Sequence, residues 1–399
     1  METAERLICR IILGEVPAWP GAGERALASR FIELLRRHGV TTLVARGLSG
    51  GTARESWPAE ILDHCRDQSL LQAVSEMAGR AEIARVLQAL AEAGIKALLL
   101  KGGSLAYSHY DNPVLRPRGD TDLLIPSRAR CTTEEVLRRL GYVPSLQMAG
   151  EFISYQANWA CRDRLGVIHD LDMHWRVNNS QVLAKLLDYE ELAARSTDVP
   201  RLCANAHALA PVHALLFACM HLAGHRFAPL YVDGIAYPAG TRLIWLYDIH
   251  LLATALSPAE LEEFAALAVH KRMAAICRDA LVRGIECFGT QVPQSLLAQL
   301  RPDAAAEPSA RYCNAGPAGR MADDFLALDG MGAKLRLLRE LFFPSEAYMR
   351  AKYCGAALSW LPFLYARRAL HACWKMAAAR LVSARDRDRA TASRAPAGS

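Results

Sequence analysis

The sequence predicts a mainly helical α+β protein. A small mixed-sheet core over residues 95–180 sits between a helical region before it (1–94) and a longer one after it (181–384), with a tail over 385–399. Three observations carry the prediction. Apolar residues recur at three-or-four spacing on both sides of the core. Within it, short apolar runs stop at glycine or proline. Farther on, Val167–Val177 alternates apolar and polar residues with period two.

In chain order, Val74, Met77, Ala81, Ala84 and Leu87 keep the three-or-four spacing of one helix face, and Gly94 stands where a left-handed C-terminal cap is expected. The pattern changes at Ile95. Ile95–Leu100 is short, nearly all apolar and ended by Lys101-Gly102-Gly103-Ser104, which fits a buried strand. Thr121–Ile125, closed by Pro126, is a second strand. Thr132 and Glu135 then have capping-box spacing ahead of Val136, Leu137 and Leu140, with Gly141 as the stop. The third strand puts Val167, Leu171, Met173 and Trp175 on one face and Asp170, Asp172, His174 and Arg176 on the other. Helical spacing returns in Pro211–Ala223 and Arg242–Leu252. The tail from Arg385 has no apolar periodicity and reads as disordered.

Composition excludes several classes. No apolar run approaches the ~18 residues that span a bilayer, and the first residues lack a secretory pattern, so a soluble, cytoplasmic protein is expected. Eleven cysteines occur singly with no Cys-x-x-Cys, which argues against a disulfide framework and a zinc ribbon. A net charge of +6 is mild; the basic stretch from Arg350 suits a phosphate-rich surface or a solvated helix face equally.

The chemistry concentrates around Asp120-Thr121-Asp122. Aspartates at i and i+2 on a strand project from one face, so their carboxylates can share hard divalent cations. Such cations activate an attacking hydroxyl and stabilise a leaving pyrophosphate. Gly102 and Gly103 let backbone N–H groups approach a phosphate, and the Ser104 hydroxyl adds a donor. A third carboxylate from a neighbouring strand completes the metal set. Asp172 is the first choice, with Asp170 in reserve on the same face. Arg116 and Arg118 suit a triphosphate, or else pair with Asp120 or Asp111 to hold their loop. Lys101 either neutralises phosphate charge or ends its strand in solvent.

These residues resemble the DNA-polymerase-β-like nucleotidyltransferase superfamily, whose core runs strand, Gly-Ser, Asp-x-Asp, then a third acid. More closely they resemble the bacterial family of uncharacterised nucleotidyltransferases. The matching stretches are LLLKGGSLAYSHYDNPVLRPRGDTDLLI (Leu98–Ile125), LDMHWRV (Leu171–Val177), HLAGHR (His221–Arg226), RLIWLYDIHLL (Arg242–Leu252) and LFFPSEAYMRAKY (Leu341–Tyr353). The resemblance implies a nucleotidyltransferase core with Asp120, Asp122 and Asp172 as metal-binding catalytic residues. It implies Mg²⁺ or Mn²⁺ as cofactor, a nucleoside triphosphate such as ATP as co-substrate, and a cleft lined by His221, His225, Arg226 and Asp248. Two departures stand out: the stretch Phe227–Gly240 is longer than expected there, and Asp170 duplicates Asp172.

His221 and His225 share a helix face, but His-Leu-Ala-Gly-His lacks the glutamate of a zinc protease. A hydrogen-bonded structural pair is the plainer role for them. His174 shares a face with Asp172 and so orients that carboxylate or meets substrate. The expected reaction moves a nucleoside monophosphate from a triphosphate to an acceptor, with a small molecule or peptide preferred over nucleic acid. A non-catalytic binding protein on the same fold and a γ-phosphate transferase are the alternatives.

Overall fold

The computed structural model describes residues 4–20, 25–50, 55–145, 148, 150–164, 166–228, 230–232, 234–237, 240–301, 306–353 and 360–371. The expected tail over 385–399 lies outside them. The chain divides into two compact units. One comprises residues 1–145 and 156–314; the other comprises residues 146–155 and 315–399.

The first unit holds the sheet. Its seven strands are β1 (Leu98–Leu99), β2 (Thr121–Leu124), β3 (Val143–Pro144), β4 (Gln156–Arg162), β5 (Ile168–His174), β6 (Thr197–Asp198) and β7 (His207–Ala208), in the order β3-β4-β5-β2-β1-β7-β6. The sheet is mixed as expected: β2 runs parallel to β5, while β1 is antiparallel to β2 and β4 to β5. The first strand is shorter than its apolar run, because at Lys101 the chain already turns into the helix Lys101–Ser108. Around the sheet, one hydrophobic core joins the N-terminal helices to the helices after β7. Ile8, Phe31 and Leu43 share it with Met220, Ile249, Phe264 and Cys277. Within it Trp19 meets Phe31 edge-on and Trp57 packs tilted against both, with ring centroids 4.9–5.5 Å apart.

A 34-residue helix, Ala59–Glu92, leads into β1. It ends as its glycine predicts. Gly94 has φ +73°, and the N–H groups of Gly94 and Ile95 donate to the carbonyls of Ala91 and Leu90, capping the last turn. Its buried side differs from the expected one: Ile83, Val86, Leu87 and Leu90 are buried, whereas Val74 and Met77 are exposed. Each three-residue step falls about 60° short of a full turn, so Val74 and Leu87 end on different sides of so long a run. The capping box at Thr132 and Glu135 does not form either. A tight turn at Ser127–Ala129 feeds the helix Arg130–Arg139 directly, leaving Thr132 inside its first turn.

Helices Pro211–His225 and Leu243–Ala255 appear where their spacing predicts them. Between them, the long stretch after Arg226 folds as a hairpin of β8 (Leu230–Val232) and β9 (Ile235–Tyr237), turned at Gly234 with φ +76°. The second unit is built from Pro317–Ala327, Gly330–Phe342, Glu346–Tyr353 and a helix over 361–371. There the Glu340 carboxylate accepts from the N–H groups of Glu151 (2.8 Å) and Phe152 (2.9 Å). No described helix is long and apolar enough to cross a membrane.

Candidate active site

Strand register assembles the site. Pairing of β1 with β2 sets Leu99 opposite Leu123, and the Leu100 N–H donates to the Asp122 carbonyl at 3.0 Å, so Leu100 faces Asp122 and Lys101 follows it at the start of the next helix. Parallel pairing of β2 with β5 aligns Asp122 with Asp172. Antiparallel pairing of β5 with β4 aligns Asp172 with Asn158. Side chains alternate along a strand, so Asp122, Asp172 and Asn158 form a row across the sheet, and Lys101, the first residue of the helix after β1, extends that row by its side-chain contact with Asp122.

Each member of the row touches the next or shares its field. Lys101 Nζ lies 2.6 Å from Asp122 Oδ1. His174 Nε2 lies 2.9 Å from the same oxygen. Asn158 Nδ2 donates to Asp172 Oδ1, and Gln156 Nε2 lies 3.5 Å from Asp172 Oδ2. A carboxylate only accepts, so His174 Nε2 carries the hydrogen; its buried Nδ1 then has no partner among the described residues. One ligand atom each from Asp122, Asp172 and His174 fall within 4.8 Å of one another, a spacing that could hold a metal ion. Asp120, just ahead of β2 and exposed, falls outside that group.

The charges in the row differ sharply. Burial works against ionised Asp122, but Lys101 and the His174 hydrogen bond overcome it and hold the carboxyl well below the usual range. Burial, then Asp120 and Asp122, pushes Asp172 up to about 7. Loss of water and the charge of Asp122 raise Asp120 as well. Lys101 loses water on burial, yet Asp122 foremost, then Asp120 and Asp172, raises its ammonium above its ordinary value.

The glycine turn lies beside this row. Gly102, Gly103 and Ser104 are buried in the first turn of Lys101–Ser108, where the Ser104 hydroxyl donates to the Lys101 carbonyl at 3.0 Å. Arg116 is buried against that turn: a Cβ on Gly102 would stand 2.8 Å from its Nη1. Asp248 clamps the same guanidinium, Nε–Oδ1 at 2.8 Å and Nη2–Oδ2 at 2.7 Å, and Tyr110 donates to Asp248 at 2.8 Å. Arg118 meets Glu76 at 2.7 Å. Both arginines therefore have carboxylate partners, Asp248 and Glu76 in place of the expected Asp120 or Asp111.

The other named residues take separate places. Asp170 is exposed on β5, two residues before Asp172. His221 and His225 pack with Trp245, ring centroids 4.5 Å apart between the histidines and 4.8 Å from His221 to Trp245. His221 is held well below its ordinary value by burial and then by His225, and it also senses Lys101, Asp122 and Arg116. Arg226 lies 3.7 Å from Asp279 and over the Phe227 ring. Sequence reasoning missed Asn158, Glu76, Tyr110 and Trp245 as partners in this neighbourhood. Of these, Asn158 alone carried a local signal, a polar residue in a strand-like stretch beside the alternating strand.

Comparison with protein families agrees with this picture at the level of family. A family model described as "uncharacterised nucleotidyltransferase" matches residues 25–289, well over half of the 399. Among solved structures, the chain is similar to an antigenic nucleotidyltransferase-like protein from Paracoccidioides brasiliensis. The two are 13% identical with a TM-score of 0.34, over 55% of this chain and 95% of that one. No curated protein matches the chain.

Proposed function

Because the chain belongs to the uncharacterised nucleotidyltransferase family, we propose that it transfers a nucleoside monophosphate from a nucleoside triphosphate to an acceptor and releases pyrophosphate. The observation that carries this reading is the alignment of Asp122 with Asp172 on parallel strands beside the Gly102-Gly103-Ser104 turn. Carboxylate oxygens of two adjacent strands, fringed by Asp120, are a donor set suited to Mg²⁺ or Mn²⁺. His174 fits better as a donor that fixes Asp122 than as a ligand, since a ligating Nε2 would move the hydrogen to Nδ1, which has no acceptor among the described residues. A divalent ion at such a site neutralises phosphate charge and polarises the reacting oxygens.

The chain's own groups divide the remaining work. Asp120, Asp122 and Asp172 bind the ion, and the N–H groups of the Gly102-Gly103 turn cradle the phosphates. Arg116, held by Asp248, braces that turn through Gly102. Asn158 donates to Asp172 Oδ1 and Gln156 Nε2 stands 3.5 Å from Oδ2, and the carboxylate they orient would take the proton of the acceptor hydroxyl. Positioning and charge, with no protein nucleophile, account for the chemistry. A small molecule or peptide is the acceptor class this reading favours, in the cytoplasm where nucleoside triphosphates are made.

The test is incubation of the protein with each α-labelled ribonucleoside triphosphate, Mg²⁺ or Mn²⁺ and a panel of acceptors. Label transfer and pyrophosphate release are then followed in wild type and in Asp122→Asn. Transfer that vanishes in the variant supports the reading. Release of the terminal phosphate in place of pyrophosphate, or full activity in Asp122→Asn, refutes it.

A further inference from the structure

Lys101 has two unusual features. It is one of only two non-glycine residues with positive φ among the described residues, at +50°, a conformation that L side chains enter only at some cost. Its ammonium also lies in the field of three carboxylates: it meets Asp122 at 2.6 Å and also feels Asp120 and Asp172. The backbone on either side is fixed, by the Leu100 N–H on Asp122 before it and by the helix after it. This local geometry therefore aims the Lys101 side chain at the carboxylates.

We propose that Lys101 is the resident counter-cation of the site: its ammonium takes the place of a divalent ion between Asp122 and its neighbouring carboxylates, and yields it when the ion binds. The inference rests on the metal-binding reading given above. An ammonium and a divalent ion cannot both lie within contact of Asp122 Oδ1 without strong mutual repulsion. Lysine suits the exchange because its head is a point charge on a flexible stem, with no planar fork to fix it. Its side chain is 26% exposed while that of Asp122 is 5% exposed, so the ammonium has a route outward that the carboxylate lacks. Released from Asp122, it meets the triphosphate entering beside Gly102 and Gly103. One cation thus serves two anions in turn: it keeps buried carboxylates neutralised in the resting protein and phosphates neutralised in the loaded one. No covalent step is involved.

The test is amine accessibility in the intact wild-type chain. The protein is pulsed with a water-soluble acetylating ester, and peptides are quantified by mass spectrometry without additions, with saturating Mg²⁺, and with Mg²⁺ plus a non-hydrolysable nucleoside triphosphate. Lys96, whose exposed ammonium contacts the Ala193 carbonyl and none of the three carboxylates, is the internal reference. The expected result is that Mg²⁺ raises Lys101 acetylation severalfold relative to Lys96, and the triphosphate analogue lowers it again. Mn²⁺ binding, read by electron paramagnetic resonance, should tighten roughly tenfold or more in Lys101→Met, because a competing charge has been removed. Unchanged Lys101 labelling while Mn²⁺ binds wild type, and not Asp122→Asn, overturns the exchange and leaves the metal site standing. Absence of Mn²⁺ binding to wild type overturns the metal site itself, and the exchange with it.

Discussion

The guanidinium of Arg116 and the carboxylate of Asp248 meet in a two-pronged ion pair across 132 positions of sequence, both side chains only 7% exposed. The pair ties the loop ahead of Asp120 to the helix Leu243–Ala255 and holds Arg116 against the Gly102 turn. Removing one partner of a buried pair leaves the other charged without compensation. Asp248→Asn should therefore cost about 3 to 5 kcal/mol of folding stability. Replacing both, Arg116→Met with Asp248→Leu, should recover part of that loss. Urea denaturation of the three proteins measures it, and a double variant no better than Asp248→Asn would show that the pair is not the source.

The two glycines of the turn should respond differently. An added Cβ at Gly102 meets the clamped Arg116 guanidinium at 2.8 Å, whereas at Gly103 the nearest atom, Leu99 Cδ2, is 3.5 Å away. Gly102→Ala should destabilise by about 1–3 kcal/mol through overpacking. Gly103→Ala, in a helix and with room for the methyl, should be neutral or stabilising by a few tenths up to about 1 kcal/mol. Thermal unfolding of both variants compares them directly, and equal losses would place the clash elsewhere.

Asn158 supports Asp172 from the adjacent strand. Partners that orient a ligand typically change metal affinity about 10–100-fold when lost. Asn158→Ala should weaken Mn²⁺ binding within that range while leaving the fold intact, as read by calorimetry and circular dichroism. Unaltered affinity would mean that Asp172 is oriented without it.

His38 gives a pH dependence of folding that is separate from the site. Its Nδ1 accepts from the Leu243 N–H at 3.2 Å, joining the helix Arg25–His38 to Leu243–Ala255. Burial foremost, then the charge of Arg37, lowers its pKa from 6.5 to about 4. Between these values the unfolded chain takes up a proton that the folded one refuses, so stability falls as pH falls from about 6.5 towards 4. Glutamine keeps an acceptor without titrating. Between about pH 7.5 and about pH 5, wild type should lose roughly 2 kcal/mol more than His38→Gln. Parallel curves for the two proteins in urea would remove His38 from that dependence.

The strands and turns around the site were legible in the sequence because local chemistry sets them: glycine after an apolar run, proline after Asp-x-Asp, period-two alternation in Val167–Val177. Asp122 and Asp172 could be named from such patterns. Their alignment could not, since it is fixed by the register of β2 on β5. The partners of Arg116 and Arg118 were hidden for the same reason, Asp248 and Glu76 being brought in by packing of distant helices. Asp-Gly at 233–234, inside the long stretch after Arg226, was a hairpin signal left unused, and β8 and β9 turn there at Gly234. The buried side of Ala59–Glu92 was misread because a three-residue spacing drifts around so long a helix.

The most direct measurement is the thermal stability of the full chain with each of the four ribonucleoside triphosphates, with and without Mg²⁺, in wild type and Asp122→Asn. A ligand that binds only the folded state raises its stability. The expected result is an upward shift in wild type with at least one triphosphate, dependent on Mg²⁺ and absent from Asp122→Asn. The same shift in both proteins, or no shift in wild type with any of the four, would contradict a metal-dependent nucleotide site at Asp122.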